Sequence, residues 1–175
     1  MTAYASEQSA IDAVNLGAFS YMQKHCKNDE IKMVERNALA LRMAKTENIK
    51  LGTGILQISA RVPSMAAMTA QSLDTVSKGR FILGLGVSGP QVVEGLHGAS
   101  FAKPLSRLRE YVEILKIALA GEKVQYDGKH YLLPRPGGEG KPIRLSQPPR
   151  PELPIYLATL GPKSLEMTGE LADGW

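Results

Sequence analysis

The sequence has little cysteine, no long apolar run and no cluster of positive charge. Its single cysteine, Cys26, excludes a disulfide within the chain and a zinc site built from several cysteines. No apolar run reaches the roughly 18 residues of a membrane-spanning helix, and the first residues lack the pattern of a secretion signal. We therefore expect a cytoplasmic protein without a membrane segment.

Lysine and arginine outnumber aspartate and glutamate by 21 to 17, which gives a formal net charge of +4. The basic residues do not form runs interleaved with aromatic residues, as they do in many nucleic-acid-binding faces. Of the 3 histidines, His25 and His130 have no partners at the spacing of metal ligands. We expect neither a nucleic-acid partner nor a metal, and the mild positive charge is compatible with a small anionic ligand.

Two kinds of segment alternate after residue 48, namely buried apolar strands and amphipathic helices. The predicted strands cover 49–58, 80–86 and 154–160, and the predicted helices cover 63–79, 105–121 and 161–171. Residues 173–175 would lead into another strand. Such alternation predicts an α/β fold with a parallel sheet, either doubly wound or a (β/α)8 barrel.

The stretch between the second and third predicted helices has the features of surface structure. Asp127-Gly128 stands between two short apolar runs and predicts a hairpin within 124–134. Residues 134–154 hold many prolines and glycines, which predicts a loop or a lid. Arg107 and Glu110, with their neighbours on the preceding helix, suit a solvated helix face.

The stretch "GRFILGLGVSGP" (79–90) contains a G-x-G-x-x-G pattern at Gly84, Gly86 and Gly89. A dinucleotide-binding loop needs a helix that begins at the third glycine and an acidic residue about 20 positions further on, at the end of the next strand. Here Pro90 and further glycines interrupt the following stretch, and Glu110 falls inside a helix. The pattern therefore does not predict a Rossmann fold, and a tight strand exit is an alternative explanation for the glycines.

Several motifs in the same order resemble the luciferase-like monooxygenase family, most closely its coenzyme F420-dependent oxidoreductase branch. They are "LGTGILQISARVPSMAAMTAQSLDTVSKGRFILGLGVSGPQVVEGLHG", "RLREYVEILK", "YDGKHYLLP" and "PIYLATLGPKSLEMTGELADGW". The resemblance covers residues 46–175 and implies a partial (β/α)8 TIM barrel, truncated at both ends, that follows an atypical segment at 1–45. The family carries its flavin or deazaflavin at the C-terminal ends of the barrel strands.

The resemblance implies three cofactor-binding segments. Gly54-Ile55 matches a strand end where deazaflavin-dependent members hold a cis peptide bond that backs the cofactor ring. Ser88 and Gly89 match the loop after the next strand, which borders the ring and its side chain. The family's phosphate-binding turn is matched by Thr159, Leu160, Gly161 and Pro162, where free N–H groups at a helix start would favour an anion. Plain structural roles for the glycines of the first and third segments are the alternatives.

The resemblance also implies a function, which is hydride transfer between coenzyme F420 and an unidentified small organic substrate. One alternative is an FMN-dependent monooxygenase that uses oxygen, and another is a truncated or non-catalytic subunit that binds a flavin or a partner. No residue is assigned a catalytic proton-transfer role, and His97 is either close to the substrate or a solvated loop residue. Open sheet edges in a partial barrel lead us to expect a homodimer.

Overall fold

The computed structural model describes residues 48–175, and the predicted atypical segment 1–45 lies outside them. Residues Lys50–Trp175 form one compact unit. The strands are β1 Leu51–Gly52, β2 Leu56–Gln57, β3 Phe81–Gly86, β4 Tyr126–Asp127, β5 Leu132–Leu133 and β6 Ile155–Leu157. The helices are α1 Pro63–Val76, α2 Pro90–Val93, α3 Pro104–Leu119 and α4 Pro162–Leu171. Among the helices of this region, none is long and apolar enough to cross a membrane.

The main sheet is parallel, and its strand order follows the chain. Both β1 and β2, the two halves of the first predicted strand, pair with β3, and β6 pairs with the other side of β3. A parallel bridge between Tyr156 and Gly174 begins the pairing of a further strand beyond β6. A doubly wound sheet reverses its strand order, whereas a barrel does not. The described residues therefore form part of a (β/α)8 barrel.

The first strand carries a bulge between its two halves. Leu51 pairs with Phe81 and Leu56 pairs with Leu85, so five steps along the first strand match four along β3. The Gly54–Ile55 peptide bond within this bulge is cis, at the position that the family resemblance indicates. A bulge of this kind inserts one residue and redirects the side chains that follow it.

Gly84 allows the bulge to approach β3 closely. A β-carbon at Gly84 would lie 2.0 Å from the carbonyl oxygen of Thr53, which is far inside contact distance. The Thr53 hydroxyl donates a hydrogen bond to the carbonyl oxygen of Gly84 at 2.7 Å. The first glycine of the G-x-G-x-x-G pattern therefore serves strand packing.

The helices cover one face of the sheet and bury its large side chains. Helix α1 packs on β3 and on α3, and α3 packs on α4. Alternate residues of β3 and β6 point into this layer, because side chains along a strand alternate between its two faces. The buried members are Phe81, Leu83, Leu85, Ile155 and Leu157. Proline stands at the start of α1, α3 and α4, where its missing N–H costs least.

The predicted hairpin is present, but its turn is longer than an Asp-Gly turn. Strands β4 and β5 pair antiparallel around residues 128–131, and the Gly128 N–H donates to the carbonyl oxygen of Tyr131 at 2.9 Å. This hairpin covers Glu110, which is 7% exposed, so the prediction of a solvated helix face is wrong for this residue. Its carboxylate accepts the N–H groups of Lys129, His130 and Tyr131 at 2.9, 2.8 and 3.1 Å.

The proline-rich stretch 134–154 contains no helix or strand, as predicted, and its second half is docked on the helices. Arg150 donates its backbone N–H to the carbonyl oxygen of Leu119 at 2.7 Å and forms an ion pair with the buried Asp74. Gln147 donates to the hydroxyl of Ser72 at 3.0 Å. These contacts involve the C-terminal parts of α1 and α3, which lie where the parallel strands begin. This half of the stretch is a docked loop and not a lid over the opposite edge.

Candidate functional site

The three segments predicted to bind a cofactor lie near one edge of the sheet, with Ser88-Gly89 after β3, the turn at Gly161 after β6, and Gly54-Ile55 in the bulge just before β2. Strands β2, β3 and β6 are parallel neighbours, so their C-terminal ends lie side by side. Hydrogen bonds continue this alignment past the strand ends, from the Ile58 N–H to the Gly86 oxygen at 3.1 Å and from the Ala158 N–H to the Leu85 oxygen at 2.9 Å. Loops that follow parallel barrel strands build the active sites of such folds.

The inner face at this edge is made of small and apolar residues. A β-carbon at Gly86 would lie 2.3 Å from Cδ1 of Ile55 and 3.6 Å from Cβ of Ala158, so residues of all three strands meet here. A β-carbon at Gly54 would have no atom within 4 Å. Ile55 and Leu160 are 36% and 90% exposed. The edge thus offers an open apolar surface on which a flat ring can lie.

Ser88 and Gly89 form the exit of β3. Ser88 has φ +60°, in the left-handed region, and Gly89 has an extended conformation at the N-terminus of α2. This short helix, Pro90–Val93, is absent from the sequence-based expectations, because glycines and prolines surround it. It follows the third glycine of the pattern, but the chain-order sheet excludes a Rossmann arrangement for the described residues.

The turn before α4 is more fully hydrogen-bonded than predicted. The Gly161 N–H donates to the Ser164 hydroxyl at 3.0 Å, and that hydroxyl donates to the Gly161 oxygen at 2.7 Å. Since Pro162 has no N–H, the expectation of several free N–H groups is wrong at Gly161 and Pro162. Within the first turn, Lys163 supplies the backbone N–H that has no helical partner. Its exposed ammonium lies on the same turn.

Thr159 lies behind this turn and is buried. Its hydroxyl pairs with that of Thr168 at 2.8 Å, and its carbonyl oxygen accepts a hydrogen bond from the indole of Trp175. These contacts tie the end of β6 to α4 and to the last residue of the chain. Thr159 therefore positions the turn, while Leu160, Gly161 and Pro162 are the exposed members of the segment.

His97 reaches the same edge. Its Nε2 lies 2.9 Å from Oε1 of Gln57, the last residue of β2. Gln57 pairs with Gly86 in the parallel register, which places the two on the same face of the sheet. The His97 side chain is exposed and also anchored, so the prediction of a merely solvated residue is incomplete. Gln57 was not predicted as a site residue, although its position two residues after Ile55 could have indicated that it lies near the site.

The other histidines do not lie at this edge in the described region. His130 pairs with the Ser106 hydroxyl at 3.0 Å and belongs to the hairpin. His25 lies outside the described residues. Within 48–175, histidine, cysteine and acidic side chains form no group of three that could hold a metal ion.

The comparisons with known proteins agree on one family. The luciferase-like monooxygenase family matches residues 36–175. A Mycobacterium tuberculosis protein named as a coenzyme F420-dependent oxidoreductase is 47% identical over 138 residues, which are 75% of this chain and 40% of that protein. The 5,10-methylenetetrahydromethanopterin reductase of Methanolobus tindarius is 33% identical over 169 residues, which are 97% of this chain and 46% of that protein.

A solved structure agrees with these matches. The coenzyme F420-dependent tetrahydromethanopterin reductase from Methanopyrus kandleri aligns with a TM-score of 0.58 and 28% identity, over 78% of this chain and 42% of that one. The chain spans less than half the length of each of these relatives.

Proposed function

The chain belongs to the luciferase-like monooxygenase family, and on this basis we propose that the protein acts as an oxidoreductase that transfers hydride between coenzyme F420 and a small organic substrate. The observation that carries the proposal is the 47% identity to a relative named for this coenzyme. The substrate is proposed only as a class. A homodimer remains our expectation for the assembly.

The residues at the strand edge fit a deazaflavin. The open space at Gly54 and the exposed side chains of Ile55 and Leu160 suit a planar apolar ring. At the start of α4, the Lys163 ammonium and the helix dipole favour a phosphate group. We assign ring contacts to Gly54, Ile55, Ser88 and Gly89, and phosphate contacts to the exposed part of the turn, Leu160, Gly161 and Pro162, which the buried Thr159 positions.

When bound, the coenzyme supplies the hydride-carrying centre, and the protein supplies orientation and electrostatics. Ile55 and the neighbouring backbone would support one side of the ring, which leaves the other side for substrate. The turn at Gly161 would fix the distance of the ring from the sheet by holding the phosphate. We assign His97, whose Nε2 lies 2.9 Å from Oε1 of Gln57, to the substrate side, where it would donate or accept a hydrogen bond.

A comparative titration tests the cofactor assignment. We expect the fluorescence of F420 to change on binding, and FMN to bind more weakly under the same conditions. Response to FMN with none to F420 would overturn the proposal in favour of the oxygen-using alternative. Tight binding of F420 without turnover of any alcohol, aldehyde or sugar phosphate would favour the non-catalytic alternative.

A further inference from the structure

A cavity of about 300 Å³ lies beside the strand edge described above. Residues 58–62, which directly follow β2, form one wall, and Val87, directly after β3, forms another. The start of α3 and Tyr131 of the hairpin close it. Its volume is at the lower end of the range for small-molecule sites, about 300–1,000 Å³. None of the cofactor segments assigned above lines it.

The charged side chains that line this cavity are all positive among the described residues. Arg61 and Arg107 both line it, and its described lining contains no aspartate or glutamate. Helices α1 and α3 also begin here, at Pro63 and Pro104, and each is long enough to present a positive N-terminal dipole. Two guanidinium groups and two helix starts make the cavity favourable for an anion.

Both guanidinium groups keep donors for a ligand. Arg107 uses Nε to donate to the carbonyl oxygen of Ala102 at 3.1 Å, and Arg61 uses Nη1 to donate to the hydroxyl of Thr69 at 3.2 Å. Glu110, one turn from Arg107 on α3, is committed to three backbone N–H groups of the hairpin. Its carboxylate therefore serves the hairpin and does not neutralise the cavity.

Ser59 gives an independent indication of a ligand. Its hydroxyl oxygen is buried and has no hydrogen-bond partner within the described region, and the residue lines the cavity. Buried polar atoms without a partner are costly, so native structures usually satisfy them. Rotation of the Ser59 side chain about its Cα–Cβ bond would turn this hydroxyl toward the cavity, where a ligand oxygen would provide the missing partner.

We propose that this cavity binds the carboxylate or phosphate group of a small organic ligand. Arginine presents planar paired donors that match both groups, and the Ser59 hydroxyl adds a third contact. Ile58, Val87, Val93 and Phe101 supply an apolar wall for the body of the ligand. The anionic group belongs either to the side chain of the cofactor or to the substrate, and the site itself stands independently of the proposed function.

Calorimetric titration with phenyl phosphate tests the site directly. Removing one charge-assisted partner should weaken binding about tenfold to a hundredfold, so we expect this loss in Arg107→Gln and in Arg61→Gln. Arg144→Gln removes the same charge from an exposed position outside the cavity and should bind like the unmodified protein. Ser59→Ala should weaken binding while raising the melting temperature, a combination that a purely structural serine would not give.

Failure of phenyl phosphate to bind, or equal binding by the Arg61→Gln/Arg107→Gln double variant, would overturn the site. Equal affinity for benzyl alcohol, a neutral analogue, would also overturn it. Displacement of phenyl phosphate by F420 would assign the anion to the cofactor, and simultaneous binding would assign it to the substrate. If F420 does not bind while phenyl phosphate does, the proposed function fails and the anion site stands.

Discussion

The two faces of β3 and β6 are built from different residues and serve different ends. On the helix side, large side chains such as Leu83, Leu85 and Leu157 are fully buried. On the other side, Gly84, Gly86 and Ala158 leave room for a close strand approach and for an open surface. The same short strands thus supply stability on one face and a candidate site on the other.

The largest expected effect is a loss of stability when a buried side chain on the helix side of β3 is shortened. Leu85→Ala should lower the free energy of unfolding by about 2–5 kcal/mol, because it removes a buried side chain and leaves a cavity. Urea denaturation measures the change. Leu96→Ala, at a residue that is 75% exposed, should stay within about 0.5 kcal/mol of the unmodified protein. Equal losses in the two variants would contradict the division.

The next largest effect concerns Glu110, whose carboxylate joins helix α3 on the packed side to the hairpin. Burial raises the pKa of its carboxyl, but three backbone N–H bonds outweigh burial, and the pKa ends below its usual 4.5. The resulting stabilisation is complete above pH 4.5 and is lost as the pH falls through the lower folded-state pKa. Glu110→Gln should therefore destabilise the protein at pH 7 by about 1.5–3 kcal/mol.

The difference between Glu110→Gln and the unmodified protein should shrink in acid. Denaturation at several pH values measures it, with the exposed Glu122→Gln as the matched control. A difference that does not change with pH would show that charge plays no part in holding the hairpin.

A smaller loss of stability is expected when a side chain is added at Gly84 on the inner face of β3. Gly84→Ala places a methyl group against the backbone oxygen of Thr53, which cannot move aside as a flexible side chain could. We expect a loss of about 1–3 kcal/mol in unfolding free energy. Gly140→Ala, where a β-carbon meets open space, is the control. If both variants are equally stable, the close approach of the bulge does not require glycine.

Much of this fold follows from local pattern. Apolar runs located β3 and β6, and prolines with helical periodicity located α1, α3 and α4 to within a few residues. Periodicity left the choice between a doubly wound sheet and a barrel open, because the order of strands depends on pairing between distant residues. The burial of Glu110 could not be predicted for the same reason, since the hairpin that buries it is distant in sequence.

The candidate site was also predictable only in part. The family resemblance indicated Gly54-Ile55, Ser88-Gly89 and the turn at Gly161, and topology brings all three to one edge of the sheet. It did not indicate that Ser164 occupies the Gly161 N–H, because a side chain three residues away makes that bond. Nor did it indicate the pairing of His97 with Gln57, which are 40 positions apart.

The assignment of the strand edge to the cofactor is tested most directly at Gly161. Its φ of −89° suits any residue, and a β-carbon there would lie 3.6 Å from the Ser164 hydroxyl, so a side chain fits without strain. We would measure F420 affinity by fluorescence titration of Gly161→Glu, Gly161→Gln and the loop control Gly140→Glu. The added carboxylate should repel the phosphate and weaken binding at least about tenfold, which corresponds to 1.4 kcal/mol. Gly161→Gln should lose less, and Gly140→Glu should bind normally. Unchanged affinity in a folded Gly161→Glu variant would contradict the assignment.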